Sequence, residues 1–225
     1  MSVAVVIPFN SKEEWRIKAF NWILAWWANN TDYEVLQGWE DPYTKGSAAH
    51  NGVAETDAST LIIADADCFI ENPGHILDYV SAVESGQFKW VIPHKKVYRI
   101  PEELTEKLYQ TGTYDLRQIG CYNISLNLGG GMVVLSRAAW ETVNGIDPRF
   151  MGWGGEDVSF GWALRCLVGE PTRGFSNLVH LYHPKQGPRQ EISSDNVKLM
   201  NRYQAANRDK IAMRKLVGEH DGGIG

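Results

Sequence analysis

The chain has 225 residues, of which 44% are hydrophobic and 22% charged, and its formal net charge at pH 7 is −5. This composition is typical of a globular domain and excludes a disordered or collagen-like chain. A net negative charge argues against broad binding of nucleic acid, which needs clustered basic residues, although a small basic patch stays compatible with it. Three cysteines without a CxxC pair or zinc-ligand spacing favour a reducing compartment over a disulfide framework.

No apolar run reaches the ~18 residues that a membrane helix needs. The opening MSVAVVIPFN also lacks the basic region of a signal peptide. We therefore expect no insertion into a membrane.

The first 65 residues alternate between strand and helix patterns. Runs of β-branched residues predict buried strands, and an apolar stripe with four tryptophans predicts a helix capped by Ser11. The alternation implies a parallel sheet, whose ligands bind beyond the carboxyl ends of the strands. The predicted strands are 3–7, 33–36 and 61–64, and the second helix ends near residue 55. The GxGxxG signature of a dinucleotide fold is absent after the first strand, which argues against an NAD enzyme.

The rest of the chain predicts further elements of both kinds. Strands are expected at 90–93, 132–135 and 178–182, and helices at 72–85, 138–143, 156–168 and 196–217. Residues 101–128 show no regular pattern and predict a loop over the site, and residues 221–225 predict disorder. We predict an α/β fold with one catalytic domain, 1–195, followed by a C-terminal helix and flexible tail, 196–225.

Two carboxylates, Asp65 and Asp67, directly follow the third strand. Alternation along an extended chain would place them on the same side. Such oxygen ligands suit Mg²⁺ or Mn²⁺, which can neutralise a diphosphate. Taken alone, the DxD motif is equally well interpreted as acidic residues that merely end a strand. Its position directly after a buried strand favours the metal site.

Two histidines, His180 and His183, end a later apolar run. Imidazole accepts Mn²⁺ more readily than Mg²⁺, so either side chain could complete a metal site with the upstream carboxylates. A hydrogen-bonded structural histidine stays open as the alternative for each.

The most specific motif is Gly-Trp-Gly-Gly-Glu-Asp at 152–157. Its glycines allow close approach to a ligand, and the indole of Trp153 offers a flat apolar surface with one N–H donor. Of the acids Glu156 and Asp157, one can bind a hydroxyl while the other accepts its proton. The alternative is that the two acids only stabilise a helix N-terminus. That interpretation does not explain the preceding Gly-Trp-Gly-Gly sequence.

The order DxD, WGGED and HxxH resembles nucleotide-sugar-dependent glycosyltransferases of the GT-A fold. The likeness runs from residue 3 to about residue 183 and is to β-1,4-galactosyltransferases and polypeptide N-acetylgalactosaminyltransferases. It implies a mainly parallel central sheet with flanking helices. One departure is Val158-Ser159, where the galactosyltransferases usually carry further acidic residues.

The resemblance also implies roles for particular residues. Asp157 would be the general base on an acceptor hydroxyl, and Glu156 would orient a sugar. The metal, Mn²⁺ or Mg²⁺, would be held by Asp65, Asp67, His180 and His183. Residues expected to contact the donor or acceptor are Pro8, Asn10, Lys45, Asn51, Asp65, Gly130, Gly131, Trp153, Gly154 and Gly155.

The implied reaction moves a sugar from a nucleotide sugar, expected to be a UDP-sugar, to a glycan, protein or other hydroxyl compound. Inversion is expected, although the N-acetylgalactosaminyltransferases share the WGGE loop and retain configuration. A nucleotidyltransferase and a non-catalytic nucleotide-sugar-binding protein stay open as alternatives. Without an anchor or lectin module, the chain is expected to be a cytoplasmic enzyme of a bacterium or a bacteriophage-infected cell.

Overall fold

The computed structural model describes residues 2–117, 119–123, 129–184 and 192–220, with backbone alone for 121–123. The strands are β1 (Val3–Pro8), β2 (Glu34–Gly38), β3 (Thr60–Ala64), β4 (Cys68–Ile70), β5 (Trp90–Arg99), β6 (Cys121–Asn123), β7 (Met132–Ser136) and β8 (Thr172–His180). The helices are α1 (Glu14–Asn30), α2 (Lys45–Ala54), α3 (Pro73–Glu84), α4 (Glu102–Thr111), α5 (Arg137–Thr142), α6 (Glu156–Leu167), α7 (Ser194–Ala206) and α8 (Lys210–Val217).

The strands form one sheet in the order β2-β1-β3-β7-β5-β8-β4, with β6 paired to β5. Strand β1 runs parallel to β2 and β3, as the sequence predicts. Strand β7 runs antiparallel to both β3 and β5, so the sheet is mixed rather than mainly parallel. The reason is that β7 begins beside the end of β3, with Met132 opposite Ala64, and the chain runs back along its neighbour.

Helices cover both faces of this sheet, because alternate residues of each buried strand belong to different cores. In β1, Ala4 and Val6 pack in one core while Val5 and Ile7 pack in the other. The first core includes residues of α2 and α5–α8, and the second includes residues of α1, α3 and α4. The single-domain α/β architecture predicted from the sequence is confirmed.

The C-terminal helices belong to the first core. Leu199 and Tyr203 of α7 and Met213 of α8 are buried there. The predicted domain boundary after residue 195 falls inside α7, a helix that packs against α6 and α8. The predicted helix over 196–217 is two helices, because the side chain of Asp209 caps a new one by accepting from the N–H groups of Ile211 and Ala212.

The predicted loop over 101–128 was partly wrong, since it contains α4 and β6. Helix α4 packs Leu104, Leu108 and Tyr109 on the second core, an amphipathic spacing that the sequence analysis overlooked. The prediction of a Ser11 N-cap was also wrong: α1 begins at Glu14, and the Ser11 hydroxyl accepts from the N–H of Glu13. Residues 221–225, predicted to be disordered, lie outside the described residues.

Within the described part of the chain, no helix is both long and apolar enough to cross a membrane.

Candidate active site

Asp65 and Asp67 lie at the carboxyl end of β3, but their side chains contact different groups. The N–H of Cys68 donates to the carbonyl of Asp65 at 3.3 Å and closes a turn between the two acids. In an extended chain, side chains two residues apart point to the same side. The turn means that the chain is not extended here, so this prediction does not hold for Asp65 and Asp67. Each carboxylate is therefore the centre of its own cluster.

The first cluster is organised by Lys45, the first residue of α2. Its ammonium donates to Asp65 Oδ1 at 2.5 Å and to Asp157 Oδ1 at 2.6 Å. The Lys45 side chain is only 14% exposed, so the contact is shielded from water. The DxD and WGGED motifs thus meet at one buried cation, and three residues predicted to be functional come together.

A glycine turn packs between the same two acids. The N–H of Gly131 donates to Asp65 Oδ2 at 3.0 Å, and its carbonyl accepts from the Asp65 N–H at 2.9 Å. A Cβ on Gly129 would lie 2.6 Å from the carbonyl oxygen of Asp157. The predicted site residue Gly130 lies between Gly129 and Gly131 in this turn.

The electrostatics of this cluster favour one titrating carboxyl beside a permanent cation. Burial raises the pKa of Asp157 to about 7, and the charges of Asp65 and Glu156 add to the rise while Lys45 opposes it. Burial alone would lower the pKa of Lys45, but Asp157, Asp65 and Glu156 together raise it well above its usual value. Lys45 therefore stays charged while Asp157 titrates near neutral pH, as suits a general base.

The second cluster surrounds Asp67. Its Oδ1 lies 3.9 Å from His180 Nε2, and its Oδ2 lies 4.0 Å from His183 Nε2. Burial alone would raise the pKa of Asp67, but His180, His183 and the Cys68 thiol lower it, so the group stays ionised. The thiol donates to Asp67 Oδ1 at 3.3 Å.

The two histidines differ in how their ring nitrogens are engaged. His180 Nδ1 donates to the carbonyl of Leu181 at 2.7 Å, which leaves Nε2 to accept from Arg99 at 3.0 Å. His183 Nδ1 donates to the carbonyl of Pro184 at 3.2 Å, so its other nitrogen, Nε2, is an acceptor that faces Asp67. The Trp15 ring stacks on His183 at a centroid distance of 5.2 Å.

These donors fit a divalent ion of the Mn²⁺ or Mg²⁺ type. A carboxylate oxygen and an imidazole nitrogen about 4 Å apart can both reach an ion at bond lengths of about 2.1 Å. His183 can bind such an ion without losing a hydrogen bond of its Nε2. His180 would first have to lose the hydrogen bond that its Nε2 accepts from Arg99.

The residues predicted for the nucleotide lie together at the ends of β1 and β2. Asn10 Nδ2 donates to the carbonyl of Glu40 at 2.7 Å, and Asn51 Nδ2 donates to the carbonyl of Trp39 at 2.8 Å. The hydroxyl of Tyr43 donates to the carbonyl of Pro8 at 3.3 Å. Both asparagine amides thus hold one turn, and the exposed indole of Trp39 is available beside it.

The WGGED segment is a loop that leads directly into α6. Gly152, Gly154 and Gly155 have φ values of 69°, 98° and 100°, a region that favours glycine. Trp153 is 55% exposed. Glu156 has a buried Oε2 with no hydrogen-bond partner among the described residues.

Sequence analysis did not identify Tyr43, Arg99 or Trp15 as site residues. Arg99 lies 81 positions before His180, and Tyr43 lies 35 positions after Pro8. No local motif marks such long-range partners, and Trp15 was interpreted as part of the apolar stripe of α1.

The sheet is mixed, helices cover both of its faces, and the candidate site lies at the carboxyl ends of β1 and β3. Residues 113–184 match a family model described as the N-terminal domain of galactosyltransferase. No curated protein matches the sequence.

Three solved structures illustrate the likeness. The catalytic domain of Drosophila β1,4-galactosyltransferase 7, solved with xylobiose, has a TM-score of 0.53 at 14% identity, covering 89% of this chain and 79% of that one. GalNAc-T7, solved with UDP, GalNAc and Mn²⁺, has a TM-score of 0.57 at 15% identity, covering 98% and 55%. Glucosyl-3-phosphoglycerate synthase from Mycobacterium tuberculosis, solved with Mg²⁺ and UDP, has a TM-score of 0.51 at 14% identity, covering 92% and 79%.

At these identities the structural likeness shows a shared GT-A fold. Together with the family match, it supports an enzyme of the glycosyltransferase type.

Proposed function

We propose that the chain transfers a sugar from a UDP-sugar to an acceptor hydroxyl in a metal-dependent, inverting reaction. The observation that carries the proposal is the convergence of Asp65 and Asp157 on Lys45, with Asp67 and His183 alongside. Asp157, held by Lys45 at the start of α6, is a candidate base that a non-catalytic nucleotide-binding protein would not need.

The metal would be held by Asp67 and His183, with His180 beside them, while Asp65 belongs to the Lys45 cluster. Bound there, Mn²⁺ or Mg²⁺ would stabilise the negative charge on the departing diphosphate. Two of the structural neighbours were solved with UDP and one of these ions, which supports the same choice here. The ionised state of Asp67 and the free acceptor nitrogen of His183 fit that role.

Asp157 is the general base of the proposed reaction. Its carboxylate takes the proton of the acceptor hydroxyl as that oxygen forms a bond to the anomeric carbon. The bond from the anomeric carbon to the diphosphate oxygen breaks, and UDP leaves with that electron pair. Attack from the face opposite the leaving group inverts the anomeric configuration.

Lys45 and Glu156 support this step from either side. Lys45 holds Asp157 by a 2.6 Å hydrogen bond and keeps its orientation fixed. Glu156, the neighbour of Asp157 in the first turn of α6, is the acid that would orient a sugar hydroxyl. The exposed indole of Trp153 offers a stacking surface for a sugar ring.

We propose a glycan as the acceptor, and a protein or another hydroxyl compound would use the same base. The Drosophila neighbour was solved with xylobiose, which supports a sugar at this position.

The test is the substitution D157N, compared with the exposed control D32N. We expect D157N to lower transfer by roughly 10²–10⁴-fold, the range for a general base, while binding of UDP stays unchanged. Sugar transfer is measured by UDP release, and binding by calorimetry. Near-normal turnover in D157N would contradict the assignment of the base.

A further inference from the structure

One buried side chain of helix α7 makes hydrogen bonds to the backbone of the glycine loop. Asn196 is 2% exposed, and its Oδ1 accepts from the N–H of Met151 at 3.2 Å. Its Nδ2 donates to the carbonyls of Met151 at 2.9 Å and Gly154 at 3.0 Å, with the carbonyl of Trp153 at 3.5 Å. Among the described residues, the hydrogen bonds to the backbone of Met151–Gly154 all come from Asn196.

The two large side chains of the loop do little to fix its conformation. Met151 is 53% exposed and Trp153 is 55% exposed, so neither large side chain is held by core packing. Glycines on either side of Trp153 leave the backbone unusually free to change conformation, and ordering such a segment costs entropy. The amide of Asn196 offsets that cost by pairing with both the N–H and the carbonyl of one loop residue.

Asn196 is itself well anchored. The hydroxyl of Ser193 caps α7 by accepting from the Asn196 N–H at 3.1 Å, and Leu199 and Tyr203 bury the helix in the core. A Cβ on Gly154 would lie 2.8 Å from the Ile192 side chain, which shows how closely the loop packs on this segment. The helix therefore offers a rigid support.

We propose that Asn196 is a positioning residue that holds the glycine loop so that Trp153 and the acid pair Glu156-Asp157 face the substrates. The inference rests on the proposed sugar transfer. Helix α6 begins at Glu156, immediately after the loop, so a shift of the loop backbone moves the acids that act on the sugar and the acceptor. A C-terminal helix outside every catalytic motif thereby becomes part of the active site's support.

The test compares N196A and N196D with N201A, an exposed asparagine on the same helix. N196A removes all of the contacts, and N196D keeps the acceptor for the Met151 N–H but places a carboxylate against three carbonyls. Amide hydrogen exchange is measured over residues 151–157 and over α7, with UDP affinity, kcat and KM measured on the same samples. If N196A is not recovered folded, N196D carries the same test.

We expect exchange at 151–157 to rise on the order of tenfold in N196A and N196D, with α7 protected as in N201A. We expect kcat for transfer to fall on the order of 10-fold to 100-fold with UDP affinity unchanged, because the UDP site lies at the other clusters. Unchanged loop exchange, or a loosened loop with normal kcat, would overturn the positioning role.

Faster exchange confined to α7 would also overturn it, since the residue would then act only in the stability of its own helix. The exchange measurement does not depend on catalysis. An inactive wild-type protein whose loop loosens in N196A would therefore contradict the proposed transfer and leave the loop contact established.

Discussion

Lys45 shows how one buried cation can organise two motifs that are distant in sequence. Its ammonium contacts Asp65 and Asp157, and Glu156 adds a third negative charge nearby. Without that cation, the carboxylates would repel one another in a site shielded from water. The pairing therefore lets Asp157 be ionised in the pH range where a base is useful.

The pKa of Asp157 predicts the pH dependence of the reaction. Burial raises this pKa to about 7, and a carboxyl is a base only when it is ionised. We therefore expect kcat/KM to increase as the pH rises through about 7. The charge of Glu156 contributes to the raised pKa of Asp157. E156Q should therefore shift the rise in kcat/KM to lower pH, whereas the exposed control E55Q should not shift it.

The measurement is a profile of kcat/KM between about pH 5 and 9 for the three proteins. A flat profile, or a limb unmoved by E156Q, would contradict the role of Asp157 as the titrating base.

The two histidines are predicted to contribute unequally to the metal site. His180 Nε2 already accepts from Arg99, whereas His183 Nε2 faces Asp67. We expect H183A to weaken Mn²⁺ binding by roughly 10-fold to 100-fold and H180A to weaken it less. Calorimetric titration of Mn²⁺ in the presence of UDP measures this, with H75A on α3 as the control. A larger loss in H180A than in H183A would reverse the assignment.

At the residue scale, short motifs mark Asp65, Asp67, His183 and Asp157 as candidates, and the structure places these side chains in two clusters. The stack of Trp15 on His183 could not be found, because the partners are far apart and the tryptophan equally fits a core stripe.

Among the elements, α2 depends on one glycine for its position. Lys45 and Gly46 form the first turn of this helix, capped by the Thr44 hydroxyl, which accepts from the N–H of Ser47. A Cβ on Gly46 would lie 2.7 Å from the backbone of Pro148. The end of the helix that carries Lys45 therefore packs directly on the turn that leads to the glycine loop.

This packing predicts that G46A is harmful to both stability and activity. The clash is with backbone, which cannot rotate away, so we expect a loss of about 1–3 kcal/mol in the free energy of unfolding and slower transfer as Lys45 shifts. Thermal or denaturant unfolding and UDP release measure the two effects. G120A is the control, because its Cβ would meet nothing within 4 Å. Equal stability and rate in the two variants would contradict the predicted packing.

Elements with strong periodicity could be predicted, and those dominated by long-range contacts could not. Strands β1, β3 and β7 are continuous apolar runs and lie close to where the pattern places them. Strand β4 has only three residues and exists through its pairing with β8, which no local pattern contains. The direction of β7 likewise depends on the glycine turn before it.

In the whole molecule, the sheet separates two cores and leaves the site at one edge. Strand β1 ends beside the residues predicted to bind a nucleotide, β3 ends at the two acids of the DxD motif, and Asp157 lies in the first turn of α6. The three motifs recognised in the sequence therefore meet because the GT-A topology brings these ends together. The order of the motifs in the sequence indicated this arrangement. The hydrogen bonds from α7 to the glycine loop could be found only from the structure.

The central claim is that this assembly releases UDP from a sugar donor in a metal-dependent reaction. The most direct measurement is UDP release from a panel of UDP-sugars without acceptor, in Mn²⁺, Mg²⁺ or EDTA. Slow hydrolysis of one donor, abolished by EDTA, is the predicted result, and it would also name the sugar. Release of pyrophosphate in place of UDP would contradict the claim, as would no release together with no metal-dependent thermal stabilisation by UDP.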